Sequence, residues 1–99
     1  MSGKIYLLTS AFHKAHNLYK IGYHSGAQDA LIKRYNTYVP KLEVTYFEEG
    51  TRKIENEVLK IMRKERIKNS NGGLTEWVKA NPRQLVEVIE IVRMRQSDS

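Results

Sequence analysis

The chain is 99 residues long, has no cysteine, and carries 17 lysine and arginine residues against 11 aspartate and glutamate residues, for a formal charge of +6. This length is enough for one domain with a single modest core, and the lack of cysteine excludes disulfides, thiolate zinc sites and a cysteine nucleophile. The positive charge favours a polyanionic partner, with nucleic acid ahead of an anionic membrane, because no predicted helix is strongly basic on one face and strongly apolar on the other.

Two extended segments open the chain, and a helix follows them. Residues Lys4–Thr9 read KIYLLT and Leu18–His24 read LYKIGYH, so both are predicted strands, joined by the polar loop SAFHKAHN. The segment Gln28–Tyr38 has its apolar residues at i, i+4 and i+7, which is helical spacing. Pro40 ends this helix, because the residue before a proline favours extended geometry.

A third strand and two further helices complete the predicted elements. Residues Leu42–Tyr46 alternate between apolar and polar side chains, which is typical of a strand. Thr51 is the predicted N-cap of a second helix that runs to about Glu65. A short extended piece follows at Leu74–Val78, and the last helix has Pro82 at its first helical position.

The order β-β-α-β-α-(β)-α predicts an α+β fold with a small, mainly antiparallel, three-stranded sheet flanked by helices. Its core is expected to combine the sheet face with the inner stripes of the second and last helices. Residues 1–96 form a single predicted domain, and residues 97–99 a frayed tail. No apolar run reaches the roughly 18 residues of a membrane span and no signal-peptide core is present, so we expect an intracellular, cytoplasmic protein that does not bind membranes.

Five sequence segments form a pattern along the chain. They are KIYLLTS from Lys4, NLYKIGYHSG from Asn17, LIKRYNTY from Leu31, IENEVL from Ile54 and GLTEWV from Gly73. Together these segments resemble the GIY-YIG nuclease superfamily. The likeness covers nearly the whole chain, and GLTEWV resembles the closing element of a compact branch common in phages and large DNA viruses, whose second motif commonly reads KIG. Lys4 stands where the parent signature has glycine, with Gly3 adjacent, and Lys20 stands where it has tyrosine.

The resemblance implies a metal-dependent endonuclease that hydrolyses DNA phosphodiester bonds, a hydrolase of GIY-YIG type. In that mechanism Tyr6 or Tyr23 acts as general base on the attacking water. A tyrosine with a pKa of about 10 is a poor base at neutral pH, so Lys20, or the metal through a bridging water, would have to lower that pKa. Arg34 stabilises the pentavalent phosphate through its planar guanidinium, and Tyr38, four residues further on, is expected to share its helix face.

Glu55 is the metal ligand that the resemblance implies, early on the second predicted helix. Mg²⁺ or Mn²⁺ suits a single carboxylate, because such an ion keeps several waters and completes its octahedron with phosphate oxygens. Glu57 is the alternative, but two residues along a helix turn a side chain by about 200°, so only one of the two faces the sheet. His24 is a candidate for a phosphate or acid-base role, whereas His13 and His16 lack the companions of a zinc site.

The partner that we expect is DNA, with RNA left open, and the expected binding residues are Lys20, Lys33, Arg34 and Lys41. With one active site per chain, cutting both strands requires a homodimer or two encounters. A phage or viral origin would put the protein in the host cytoplasm. Glu76 is expected to orient the neighbouring helix or loop, and Trp77 to belong to the core. The alternative interpretation is a catalytically silent, basic nucleic-acid-binding module on the same fold.

Overall fold

An antiparallel sheet of five strands lies at the centre of the computed structural model, which describes residues 3–97. Its strands are β1 (Gly3–Ser10), β2 (Leu18–His24), β3 (Leu42–Gly50), β4 (Arg66–Lys68) and β5 (Leu74–Lys79). The helices are α1 (Ala11–Ala15), α2 (Gln28–Tyr35), α3 (Arg52–Ile61) and α4 (Pro82–Ser97), with a 3₁₀ turn at Arg63–Glu65. The strand order is β3-β1-β2-β5-β4. The predicted α+β class, with an antiparallel sheet flanked by helices, is confirmed.

The sheet has two strands more than the three predicted. One of them, β5, contains the short extended piece Leu74–Val78, and it joins the sheet where Lys20 pairs with Trp77. The other, β4, is only three residues long. An alternating pattern cannot show itself over so few residues, so the sequence carries no sign of this edge strand.

Strand alternation divides the core into two halves, one on each face of the sheet. On one face, Ile5 and Leu7 pack with buried residues of β2, α3 and α4, and we call this the α3 face. On the other, Tyr6 and Leu8 pack with Leu31 of α2, and we call this the α2 face. The predicted combination of a sheet face with the second and last helices corresponds to the α3 face, whereas Trp77, also predicted to belong to the core, packs against the α2 face.

The helix α3 begins at its predicted cap. The Thr51 hydroxyl accepts a hydrogen bond from the backbone N–H of Ile54 at 3.2 Å, which satisfies one free donor of the first turn. The helix ends at Ile61 and the chain continues into the 3₁₀ turn, a little before the predicted end near Glu65. Because the cap fixes where the helix starts, it also fixes which residues face the sheet, and Glu55 is among them.

A short helix, α1, lies in the predicted loop between β1 and β2. Its first turn is capped by Ser10, whose hydroxyl accepts a hydrogen bond from the His13 N–H at 3.2 Å. None of its residues is buried. Without a buried stripe, α1 has no apolar periodicity from which a helix could be predicted.

The helix α2 ends at Tyr35 and not at the predicted Tyr38. The backbone N–H groups of Tyr38 and Val39 both donate to the Tyr35 carbonyl, and the chain turns out of the helix there. Val39 is buried after this turn, whereas Tyr38 is 79 % exposed. The expectation that Tyr38 shares a helix face with Arg34 is therefore wrong.

The helix α4 covers the α3 face and extends to the end of the described residues. Leu85, Ile89 and Val92 are its fully buried residues. The backbone of Ser97 still belongs to α4, and the other two residues of the predicted tail, 98 and 99, lie outside the described part. Within residues 3–97, no helix combines the length and the apolarity that crossing a membrane requires.

Candidate active site

The Tyr6 ring lies across the neighbouring strand β2, over a position where only glycine leaves room for it. Its β1 position is paired with Gly22 of β2, and a Cβ atom on Gly22 would lie 2.2 Å from the Tyr6 ring carbon Cζ. The ring therefore lies over the bare backbone of β2. Its hydroxyl donates a hydrogen bond to the Tyr35 hydroxyl at 3.4 Å. The glycine of the Lys20-Ile21-Gly22 triplet thus has a physical role, which is to let this tyrosine extend from β1 across β2.

Lys20 joins Tyr6 from the neighbouring strand on the same face. Its Nζ lies 2.6 Å from Oε1 of Glu76, a residue of β5. The same ammonium lies 5.5 Å from the centroid of the Tyr35 ring, a distance at which a cation is attracted to the ring face. Only 11 % of the Lys20 side chain is exposed. Lys20 therefore holds a carboxylate and an aromatic ring together beside the Tyr6 hydroxyl.

Glu55 brings a second carboxylate to this position from α3. The residue is 4 % exposed, and its pKa is raised, first by burial and then by the charge of Glu76 and a hydrogen bond with it. Arg52, whose Nη1 is 3.9 Å from Glu55 Oε1, and Lys20 offset part of this shift in the pKa of Glu55. Glu57, the alternative ligand, is half-buried and is not part of the pair. Glu55 and Glu76 thus form a carboxylate pair, with Arg52 near the first and Lys20 on the second.

The Tyr6 hydroxyl is held in its neutral form by the same neighbourhood. Burial raises the pKa of Tyr6 well above its ordinary value, and the hydrogen bond to Tyr35 and the charges of Glu76 and Glu55 raise it further. Lys20 therefore does not by itself bring the pKa of Tyr6 below its ordinary value. Tyr6 donates a hydrogen bond here and would need additional positive charge before it could accept a proton.

Arg34 lies at the rim of this cluster. It is exposed on α2, and its guanidinium carbon is 5.3 Å from the centroid of the Tyr35 ring. Lys33 and Lys41 are also exposed, Lys33 beside Arg34 and Lys41 just before β3. A cation at the edge of a partly buried cluster is free to contact a phosphate that approaches from solvent.

Three of the predicted site residues are placed differently from Tyr6. Tyr23 pairs with Ile5 and lies on the α3 face, opposite to Tyr6, with the Arg52 guanidinium 4.9 Å from its ring centroid. Tyr38 is exposed in the turn after α2. His24 lies two residues beyond Gly22, and its buried Nε2 has no hydrogen-bond partner among the described residues. Two residues that the sequence did not assign to catalysis, Tyr35 and Glu76, are instead at the centre.

The carboxylate pair fits a small, hard cation. Mg²⁺ is commonly held by one or two carboxylates and completes its shell with water and phosphate oxygens. Burial, and after it the charge of Glu76, raises the pKa of Glu55, and such an ion would offset both by favouring the charged carboxylate. Within residues 3–97, no group of three or more histidine, aspartate or glutamate side chains is arranged to hold a metal. A cation at this position would therefore take its protein ligands from Glu55 and Glu76 and its remaining ligands from water and the substrate phosphate.

The raised pKa of Glu55 predicts that this side chain destabilises the folded protein at neutral pH. The pKa of Glu55 in the folded protein is above the unfolded value of about 4.3, so protonated Glu55 favours folding and charged Glu55 opposes it. The stability gained from protonated Glu55 is complete below about pH 4 and is lost as the pH rises through the folded-state pKa. Glu55→Gln is therefore expected to raise the melting temperature at pH 7 in EDTA, by roughly 4–8 °C for each kcal/mol of relief. At pH 3.5 the variant and the parent are expected to melt together. A lower melting temperature for the variant at pH 7 would show that the carboxylate stabilises the fold.

The fold and the cluster define a class of protein, a small basic α+β domain with tyrosine, lysine and paired carboxylates at one position of an antiparallel sheet. Comparison with known families shows which family within that class the chain belongs to. The model of the T5orf172 domain matches residues 3–93, and the chain belongs to this family. The T5orf172 family is associated with endonuclease-like domains.

Two relatives come from Acanthamoeba polyphaga mimivirus. The chain is 41 % identical to "Uncharacterized protein R9" over 75 residues, which is 74 % of this chain and 20 % of the relative. It is 35 % identical to "Uncharacterized protein R10" over 87 residues, 86 % of this chain and 23 % of the relative. The chain thus spans about a fifth of the length of these curated relatives. No solved structure gives a significant match.

Proposed function

We propose that this domain is a metal-dependent endonuclease of GIY-YIG type that hydrolyses DNA phosphodiester bonds. The observation that carries the proposal is the convergence of Tyr6, Lys20, Glu55 and Glu76, from four elements of the fold, beside a solvent-exposed arginine. Membership of a family associated with endonuclease-like domains supports it. The formal charge of +6 favours the same class of substrate.

In the proposed mechanism Arg34 contacts the scissile phosphate. Its guanidinium can donate two hydrogen bonds to phosphate oxygens and neutralise the charge that builds up on them in the transition state. Because Arg34 is exposed at the rim of the cluster, a phosphate can reach it without displacing a core residue. Lys33, next to it on α2, and Lys41 add attraction for the neighbouring phosphates.

Tyr6 positions the attacking water through its hydroxyl, and we assign the general base to Tyr6 and not to Tyr23. The Tyr6 hydroxyl bonds to Tyr35, over whose ring the Lys20 ammonium lies, whereas Tyr23 lies on the opposite face of the sheet, beside Arg52. Glu55, together with Glu76, would hold Mg²⁺ or Mn²⁺. When bound, such an ion neutralises charge that develops on phosphate oxygens and lowers the pKa of nearby groups. Lys20 holds Glu76 in place, and its charge also opposes the negative charge that appears as Tyr6 gives up its proton.

The second candidate function is a catalytically silent nucleic-acid-binding module. One observation favours it. The Lys20 ammonium already forms an ion pair with Glu76 at 2.6 Å, and a lysine in this position competes with a metal for the same carboxylate. In that case the basic surface would bind DNA or RNA, and the cluster would only stabilise the fold.

Incubation of the protein with nucleic acid separates the two functions. The substrates are a plasmid and short branched, nicked and single-stranded oligonucleotides, each with Mg²⁺, with Mn²⁺ and with EDTA. An endonuclease is expected to cut at least one of them with a divalent ion and none with EDTA. Binding to these substrates without any cut product would favour the silent module.

DNA binding is expected to depend steeply on salt. Basic residues are spread over the surface rather than gathered on one reading helix, so contacts with phosphates dominate. Neutralising each phosphate releases counterions, and log K should fall linearly with log [salt] at a slope of about −0.9 per contacted phosphate. A titration at several NaCl concentrations in EDTA checks this. An affinity that stays constant between low and moderate salt would count against a polyanionic partner.

A further inference from the structure

A row of four aromatic rings lies on α1 and β5. Phe12 is 5.5 Å from the His13 ring, edge-on, and 4.9 Å from the His16 ring, measured between centroids. His13 in turn stacks on Trp77, with centroids 4.5 Å apart and planes at 21°. The row therefore runs from His16 through Phe12 and His13 to Trp77, and we call it the aromatic row.

The aromatic row is held in shape: Trp77 at its inner end packs against the core of the α2 face, and Phe12 at its outer end lies outside the core. The Ser10 hydroxyl oxygen lies 2.6 Å from Nδ1 of His13 and also accepts the His13 backbone N–H, which fixes the ring that stacks on Trp77. Phe12 at the other end is 68 % exposed, and α1 has no buried residue. Phe12 therefore presents an apolar ring to solvent, next to the exposed ring of His16.

The inner end of the row adjoins the candidate active site. Trp77 pairs with Lys20 across β5 and β2, and the residue before it, Glu76, forms the ion pair with Lys20 at 2.6 Å. The outer end faces solvent at Phe12. A strand whose phosphate lay at Arg34 and the cluster could thus extend along the row.

The charge around the row suits a nucleic acid. The segment 11–17 contains Lys14 and no acidic residue, and Lys14 is exposed. Lys41 precedes Leu42, which pairs with Ser10 at the start of α1, so a second exposed lysine lies at the same end of the sheet. Aromatic rings with flanking cations and no nearby carboxylate on α1 are the combination that binds unpaired nucleotides.

We propose that the aromatic row stacks against unpaired bases of the strand held at the candidate active site. The substrate is then DNA with single-stranded nucleotides next to the cleaved bond, such as an overhang or a flap, in preference to uninterrupted duplex. Every base has a π face that stacks on an aromatic ring, so this binding selects for unpaired structure and not for sequence. The inference rests on the proposed function in so far as nucleic acid is the substrate.

The test compares binding to two DNA molecules in EDTA. One is a fluorescent duplex, and the other is the same duplex with a short single-stranded overhang. Phe12→Ala is expected to weaken binding to the overhang DNA about tenfold, which corresponds to about 1.4 kcal/mol, and binding to the duplex less than twofold. His16→Ala is expected to act in the same direction, and Phe12→Trp to keep the parent affinity. The control is Ile91→Ala, on the exposed side of α4, which should change neither affinity.

Equal losses on both DNA molecules, or no loss on the overhang DNA, would overturn the proposal. Phe12 and His16 are exposed, so their alanine variants are expected to melt like the parent, which a thermal scan verifies before binding is measured. Binding in EDTA is independent of hydrolysis. A protein that prefers the overhang DNA but cuts no substrate would support the proposed role of the aromatic row and contradict the proposed nuclease function. A protein that cuts DNA without any preference for unpaired bases would support the nuclease function and contradict the role of the aromatic row.

Discussion

A chain that ends at Ala80 is expected to lose cooperative unfolding altogether. Such a chain lacks α4, whose Leu85, Ile89 and Val92 are buried on the α3 face with exposures of 0 %, 0 % and 1 %. Fully burying an aliphatic side chain contributes roughly 1.5–3 kcal/mol. Three such residues together approach the total stability of a small domain, roughly 5–15 kcal/mol. Circular dichroism during heating or urea titration is expected to show no sigmoidal transition for the shortened chain.

The matched control removes apolar surface from the outer side of the same helix. Ile91 is 49 % exposed, so Ile91→Ala is expected to change the free energy of unfolding by no more than about 0.5 kcal/mol. If the chain ending at Ala80 still melted cooperatively, α4 would be an accessory element, and the core would consist of the sheet with α2 and α3.

Elements with a long, regular pattern were predictable from the sequence, and those that depend on tertiary packing were not. An apolar run of residues that favour strands identified β1, alternation identified β2 and β3, and Thr51 marked the start of α3. The three-residue strand β4 and the unburied helix α1 have no periodicity to detect. The end of α2 at Tyr35 depends on hydrogen bonds that leave Val39 buried. That burial is a property of the assembled α2 face.

The same distinction applies to the candidate site. The helix period showed that only one of Glu55 and Glu57 faces the sheet, and Glu55 is the buried one. Glu76 could not be placed, because its contact with Lys20 depends on the pairing of β2 with β5. The position of Tyr23 depends on strand register, since a shift of one residue exchanges the two faces of a strand. No register can be read from a single sequence.

Glu55→Ala is expected to reduce metal-dependent cleavage by roughly a thousandfold or more. A bound ion is expected to supply several kcal/mol of transition-state stabilisation. Each 1.36 kcal/mol of this stabilisation that is lost lowers the rate about tenfold. DNA binding is expected to stay intact or become slightly tighter, because a negative charge near the phosphate has gone. Arg34→Ala is expected to lose a comparable factor in rate and little affinity, because Arg34 is one of 17 basic residues.

Glu57→Ala is the matched control for Glu55→Ala, since it removes the same side chain from the same helix. Glu57 is half-buried and outside the carboxylate pair, so this variant is expected to cut like the parent. An inactive Glu57→Ala together with an active Glu55→Ala would show that Glu57, and not Glu55, is the metal ligand.

The most direct measurement is the single-turnover cleavage rate of the parent, Glu55→Ala and Glu57→Ala on one DNA substrate. Protein is kept in excess, Mg²⁺ is present, and the bound fraction is measured separately in EDTA so that each variant is compared with its DNA fully bound. We predict that the parent and Glu57→Ala cut at similar rates and that Glu55→Ala cuts roughly a thousandfold more slowly. Equal rates for all three proteins would contradict a carboxylate-held metal ion at the Tyr6, Lys20 and Glu55 cluster.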